Sequence, residues 1–414
     1  MTETENKAVP LDSLVPTPES IGAKPIDDAL INNYQQVTGK NVPTSIRRGI
    51  YNAHIGFDEL IERKRNNKPF YIFLSIIPSN RLTNLSHIVS FGLAKKLQDD
   101  FDCPVVIHIN DSKAFLRDTN LKFDEVKKMT EETILDVLSF GFNQDKTAVL
   151  INTESLSLNY VLLCDLQRKC TLGSYFEAFK PNDNISISII DAIFQNASFS
   201  IPEYLQRLFP NYQEYRCLMI LRATQKRLYD YICNTIIPAS STESKQTEPP
   251  MAIFGGFVPA LQGGQKMPSL AKFALAQKGT QPKNGKKKNE IRDYMTIYLS
   301  NTTKEISKKL NSLCFSGGQD TLSGQQEKGA NLDIDVSFYY LKIFEQDDQK
   351  LAEIRRTYGP GDLPEGNDKR MTTGSIKKYT SDVISGVITE LQNSRKNIKK
   401  DMVQNVTKIR PLNK

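Results

Sequence analysis

The sequence predicts an α/β protein in which a parallel sheet is followed by an all-helical part. Two patterns carry this reading. Three short apolar runs, Pro69–Ile77, Pro104–Ile109 and Thr147–Ile151, alternate with amphipathic helical stretches. Strands buried on both faces and separated by helices form parallel sheets with right-handed crossovers. Beyond Asn301, by contrast, apolar residues recur at helical spacing to the end of the chain. At about 150 residues per domain, 414 residues are also too many for one core, so two to three domains are expected.

In chain order, residues 1–23 are dotted with Pro and Glu without periodicity, which predicts a flexible tail. Residues 24–66 read as a helical extension on the spacing of Ile46, Ile50, Leu60 and Ile61. The sheet domain is placed at 67–300. It opens on the strand Pro69–Ile77 and a helix near 85–99 with Leu93 and Leu97 on one face. The strand Pro104–Ile109, a helix near 123–140, the strand Thr147–Ile151 and a further core strand at Tyr215–Leu221 follow. Polar insertions fall near 239–250 and 277–289. Residues 301–414 read as a helical domain, from Ile306, Leu310 and Leu313 through Val336, Tyr340 and Ile343 to Val383, Ile388 and Leu391.

Composition excludes several classes. The longest apolar stretch, Tyr71–Ile77, is far short of the ~18 residues of a membrane span. Acids near Met1 do not fit a secretory signal, so a cytoplasmic protein is expected. The six cysteines are scattered without metal-ligand spacing, which predicts reduced thiols and no metal site. A formal net charge of +7 permits a polyanionic partner without demanding one.

Five segments carry a resemblance: Tyr34-Gln-Gln-Val-Thr-Gly39, Leu97-Gln-Asp-Asp-Phe-Asp-Cys-Pro-Val-Val106, Phe257-Val-Pro-Ala-Leu-Gln-Gly263, Cys314-Phe-Ser-Gly-Gly-Gln-Asp-Thr321 and Asp333-Ile-Asp-Val-Ser-Phe-Tyr-Tyr-Leu341. In order and near-spacing they resemble the tryptophanyl-tRNA synthetase family of the eukaryotic cytosolic type, from about Gly22 to the C-terminus. The resemblance implies a class I synthetase fold: a Rossmann-type parallel sheet domain followed by an all-helical anticodon-binding-like domain, usually dimeric. Such enzymes adenylate tryptophan with ATP and pass it to tRNA, chiefly by positioning and electrostatic stabilisation.

The positions that the resemblance assigns to chemistry depart from the family. Its Thr-Gly-Arg-Gly-Pro turn, whose glycines admit ATP, reads Leu74-Ser75-Ile76-Ile77-Pro78. Its His-Leu/Ile-Gly-His signature reads Asn84-Leu85-Ser86-His87, leaving one histidine and no glycine. The similar His54-Ile-Gly-Phe57 precedes the first long strand and so lies outside the strand–helix turn the signature needs. Its pyrophosphate-clamping loop reads Lys266-Met267-Pro268-Ser269-Leu270, where Pro268 removes an amide donor and Leu270 a hydroxyl. In the amino-acid pocket a tyrosine becomes Phe73, a glutamine becomes His108, and the carboxylate that accepts the indole N–H becomes Lys113. Gln195 and Gln225 match family glutamines, although the residues flanking the second are Thr224 and Lys226.

Each remnant also has a plainer reading. Gln195 sits on an apolar helix with Ile189, Ile193 and Phe194 and reads equally as a satisfied polar group; His87 reads as a helix-start residue and Lys266 as a solvated cation. The cluster Lys283, Lys286, Lys287 and Lys288 reads either as a solubilising loop or as an RNA phosphate tether. Several phosphate and pocket contacts fail together, and each is worth ~10²–10³ in rate.

The expectation is therefore a catalytically inactive synthetase-like protein, without cofactor, that acts by binding. Its partner is tRNA or another RNA, a synthetase subunit in a homo- or heterodimer, or a larger assembly. The alternative is a divergent but active tryptophan–tRNA ligase using ATP and Mg²⁺, with His87, Lys266, Gln195 and Gln225 as its site. A third reading is a different ligand, such as an anion, in a pocket lined by Phe73, Ile76, His108 and Lys113 with Lys226 nearby.

Overall fold

A computed structural model of the chain describes residues 10–79, 83–158, 160–181, 187–240, 247–263, 295–363 and 369–412. Its sheet has seven strands: β1 (Lys24–Pro25), β2 (Tyr51–Ile55), β3 (Phe70–Ile76), β4 (Val105–Ile109), β5 (Thr147–Ile151), β6 (Arg216–Arg222) and β7 (Met251–Gly255). Their order is β1-β2-β7-β6-β3-β4-β5. The block β7-β6-β3-β4-β5 is parallel, as the apolar runs predict. The sheet as a whole is mixed, because β2 pairs antiparallel with β7 and β1 antiparallel with β2.

Two expectations are corrected here. The stretch 24–66 is not wholly helical: β1 and β2 add to the sheet beside the helices Asp28–Thr38 and Phe57–Arg65. A five-residue strand containing Asn52 and His54 has no apolar run to announce it. Nor are residues 10–23 a loose tail. Leu11 is 1% exposed and its N–H donates to Asp333 O at 2.8 Å.

The chain divides into two compact units. One comprises Thr17–Leu82, His87–Gly256 and Asn393–Lys414; the other Met1–Pro16, Thr83–Ser86 and Phe257–Gln392. The division falls after Gly256, one residue past the end of β7, rather than near residue 300. After it the chain belongs to the helices, for Tyr340 OH donates to Pro259 O at 2.7 Å and Phe315 N to Leu261 O at 2.7 Å. The segment from Asn393 returns to the sheet unit through Arg395 Nε to Asp136 Oδ1 at 2.9 Å and Leu412 N to Leu208 O at 3.0 Å.

Buried carboxylates pin both units at segments that carry the resemblance. In the sheet unit, the fully buried Asp100 accepts Tyr34 OH at 2.6 Å. Gln98 joins Thr147 Oγ1 at 3.0 Å and Asn143 N at 2.9 Å. In the helical unit, Asp335 is fully buried and accepts from Gly317 N and Phe338 N at 2.9 Å, Tyr358 OH at 2.8 Å and Ser316 Oγ at 3.2 Å. It thereby caps the helix Val336–Phe344 and ties it to the helix Asp348–Tyr358. Gly317 leaves no room for a side chain, since an added Cβ would lie 1.9 Å from Asn331 O. The expected outcome for Gly317→Ala is a loss of about 1–3 kcal/mol or more in denaturant unfolding, as for other overpacked sites. A change below about 0.5 kcal/mol, the size of an ordinary surface substitution, would contradict this packing.

Candidate functional site

In parallel sheets the carboxyl ends of the strands form the ligand-facing edge, and here those of β3, β4 and β5 carry a connected polar cluster. Register pairs Ser75 with His108, and His108 with Leu150. Every position of β3 except Ser75 is buried. Past β4, Asn110 caps the helix Asp111–Arg117 by accepting Lys113 N at 3.0 Å. Asp111 receives Ser112 N at 2.9 Å and Thr153 N at 3.0 Å, which fixes the start of the segment after β5.

The hydrogen bonds run in one direction from the carboxylate of Asp191. An ionised carboxylate only accepts, so Gln195 presents Nε2 to Asp191 Oδ2, at 2.5 Å. Gln167 Nε2 donates to the other oxygen. Gln195 Oε1 then accepts Asn152 Nδ2 at 2.7 Å, and the same amide donates to Ser112 Oγ at 2.7 Å. With its nitrogen committed, Asn152 turns Oδ1 toward His108 Nε2, at 3.1 Å. This favours the imidazole proton on Nε2, with Nδ1 accepting Ser75 Oγ–H at 3.2 Å, while the Asn196 side chain also hydrogen-bonds the ring.

His108 is fully buried, stacked on Phe73 (centroids 6.5 Å, 19°) and packed against Phe199 at 4.4 Å. Burial pushes its pKa down to about 4, and the charge of Lys113 acts in the same direction. Lys113 is itself half-buried, its pKa lowered by desolvation and then by Arg117. Its ammonium has no acceptor among the described residues. Phe73, His108, Lys113 and Gln195 thus lie at one polar cluster. Asn152, Asp191 and Ser75 complete the cluster and were missed as site residues, although Asp191 lies one helical turn before Gln195.

The other named positions behave differently. Gln225 Oε1 accepts Arg222 N at 2.9 Å and so closes the turn after β6. Lys226 is ion-paired with Asp230 and is not a spare cation. His87 is half-buried in the first turn of the helix Leu85–Phe101; burial, then the charge of Arg222, pushes its pKa down to about 4. Ile76 is buried and Ile77 half-buried at the end of β3. His54 is buried on β2 and its Nδ1 accepts Phe57 N at 3.1 Å, which accounts for that decoy as a helix cap. Lys266, Lys283, Lys286, Lys287 and Lys288 lie outside the described residues. Among the described residues no cluster of His, Cys, Asp and Glu suits a metal, and no helix is long and apolar enough to cross a membrane.

The depressed histidines set a pH dependence, for burial lowers the pKa of His54 as well as those of His87 and His108. Between about pH 6.5 and pH 4 the unfolded chain binds protons that folded His87 and His108 refuse, so stability falls as pH falls through that window. The expected outcome is a melting temperature that drops from pH 7 to pH 5, by less in His108→Gln. An equal drop in both proteins would contradict the burial of His108.

No protein-family profile matches the chain. Over 401 residues it is 29% identical to the cytoplasmic tryptophan–tRNA ligase of Rattus norvegicus, covering 96% of this chain and 76% of that one. It superposes on the tryptophanyl-tRNA synthetase of Giardia lamblia with a TM-score of 0.80 and 27% identity, over 96% of each chain. A parasite tRNA synthetase solved in a product-bound state gives a TM-score of 0.81 and 25% identity over 97% of this chain and 96% of that one.

Proposed function

Starting from a chain that is tryptophanyl-tRNA synthetase-like in sequence and fold, we propose that this protein no longer makes an aminoacyl-adenylate and works by binding. The observation that carries this reading is a pocket whose polar groups are already paired with one another, from Asp191 through Gln195 and Asn152 to His108 and Ser75. An entering tryptophan would break bonds of this chain, and each buried group left unpaired costs ~1–3 kcal/mol. It would also meet the Lys113 ammonium where the resemblance places an acceptor for the indole N–H. At the phosphate side, Ile77 stands where that pattern has glycine and Ile76 where it has arginine, and the neutral His87 is its one remaining histidine. The fold of each unit is kept by its own buried carboxylate, Asp100 in the sheet unit and Asp335 in the helical one, which suits a protein that presents a surface.

The partner is tRNA or another RNA, a synthetase subunit paired as a homo- or heterodimer, or a larger assembly. Retention on RNA that weakens with salt separates the first from the others. A cytoplasmic location accords with the relative named above.

Thermal melting with millimolar ATP-Mg²⁺, tryptophan or both tests the loss of ligand binding. A ligand at 100 times its Kd stabilises by ~2.7 kcal/mol, a shift of several degrees even in a large domain at about 2–4 °C per kcal/mol. The expected result is no shift with any combination. A clear shift with ATP and tryptophan together would instead favour a divergent, active ligase built on the remnants His87, Lys266, Gln195 and Gln225.

A further inference from the structure

We propose that Ser75 is a nucleophilic serine, with His108 as its base and Asn152, Gln195 and Asp191 as positioning residues, that attacks the acyl carbon of carboxylic esters. Ser75 is the one exposed position of β3, at the carboxyl edge of the sheet, and its hydroxyl lies in a part-buried contact with His108. Oγ lies 3.2 Å from His108 Nδ1, and Nε2 lies 3.1 Å from Asn152 Oδ1. Nucleophile, base and orienting group in series is the arrangement that activates a hydroxyl, whatever the fold. What distinguishes it from a casual polar contact is direction. Asp191 fixes Gln195, Gln195 fixes Asn152, and Asn152 holds the proton on Nε2, so the bare nitrogen faces Ser75.

The two central residues are also both departures from the resembled pattern, which has glycine at Ser75 and glutamine at His108, and they fall on register partners of adjacent strands. Either change alone would leave a hydroxyl without a base or an imidazole without a nucleophile. Lys113, whose charge is felt at His108 and whose ammonium has no acceptor among the described residues, supplies positive field for a developing oxyanion. None of this depends on the loss of adenylation proposed above.

The reaction balances as ester hydrolysis. The Oγ–C bond forms while the Oγ proton moves to His108 Nδ1, and the C–O bond to the leaving group breaks as that alcohol takes the proton. A water that gives its proton to Nδ1 then attacks the acyl-serine and releases the acid, returning the hydroxyl to Ser75. Burial that keeps His108 neutral down to about pH 4 also makes it a weak base, so activated esters are the appropriate substrates.

The test incubates the full chain with p-nitrophenyl acetate and, separately, with a fluorophosphonate, followed by peptide mapping. The expected result is modification of Ser75 in the folded chain and not in the urea-unfolded one, lost in Ser75→Gly. His108→Gln should slow it by ~10²-fold or more, as for removal of a general base. Asp191→Asn, whose amide no longer dictates the direction of the chain, should slow it while melting near the parent temperature. An unmodified Ser75 in the folded protein, or an unchanged rate in a folded His108→Gln variant, would overturn the proposal.

Discussion

The polar edge of the sheet is organised by one constraint, that the carboxylate of Asp191 accepts hydrogen bonds and does not donate them. From it follow the orientation of the Gln195 amide, then that of Asn152, then the tautomer of His108 and the direction of the Ser75 hydroxyl. Such a chain is cooperative: reversing one member leaves its neighbours donor-to-donor or acceptor-to-acceptor in a buried setting. The imidazole in its middle is fully buried between Phe73 and Phe199, so it stays neutral and in one tautomer. The pocket is therefore a filled and directed polar site rather than an eroded one.

The contrast with the scaffold explains how a site can be rewritten inside a retained fold. Asp100 and Asp335 each collect hydrogen bonds across segments distant in sequence, and Gly317 meets backbone where a side chain would stand. These positions fall within the segments that carry the resemblance, because removing any of them leaves buried groups unpaired or overfilled. The ligand-facing ends of β3 and β4 carry no such obligation to the fold. Ser75 and His108 change there and hydrogen-bond each other.

How much of this was legible depends on range. The core strands β3 to β6 announce themselves as apolar runs, and the helices Phe123–Leu138 and Thr303–Leu313 by their spacing. Strand β2, with Asn52 and His54 in five residues, shows no apolar run and is fixed by pairing with β7, which in turn pairs with β6. In the site, Phe73, His108, Lys113 and Gln195 could be named from the resemblance. Asn152 and Asp191 could not, because their meaning is relational: Asn152 joins His108 across 44 residues and Gln195 across 43. Gln225, named on the same grounds as Gln195, is held by a local backbone bond that spacing alone does not reveal.

The chain has three histidines, so ¹⁵N spectra of the histidine-labelled protein resolve the central claim directly, with His108→Gln giving the assignment. At pH 7 the account predicts a neutral His108 ring with its proton on Nε2 and an unprotonated Nδ1. A proton on Nδ1, or an imidazolium, would contradict the hydrogen-bond chain that runs from Asp191 to Ser75.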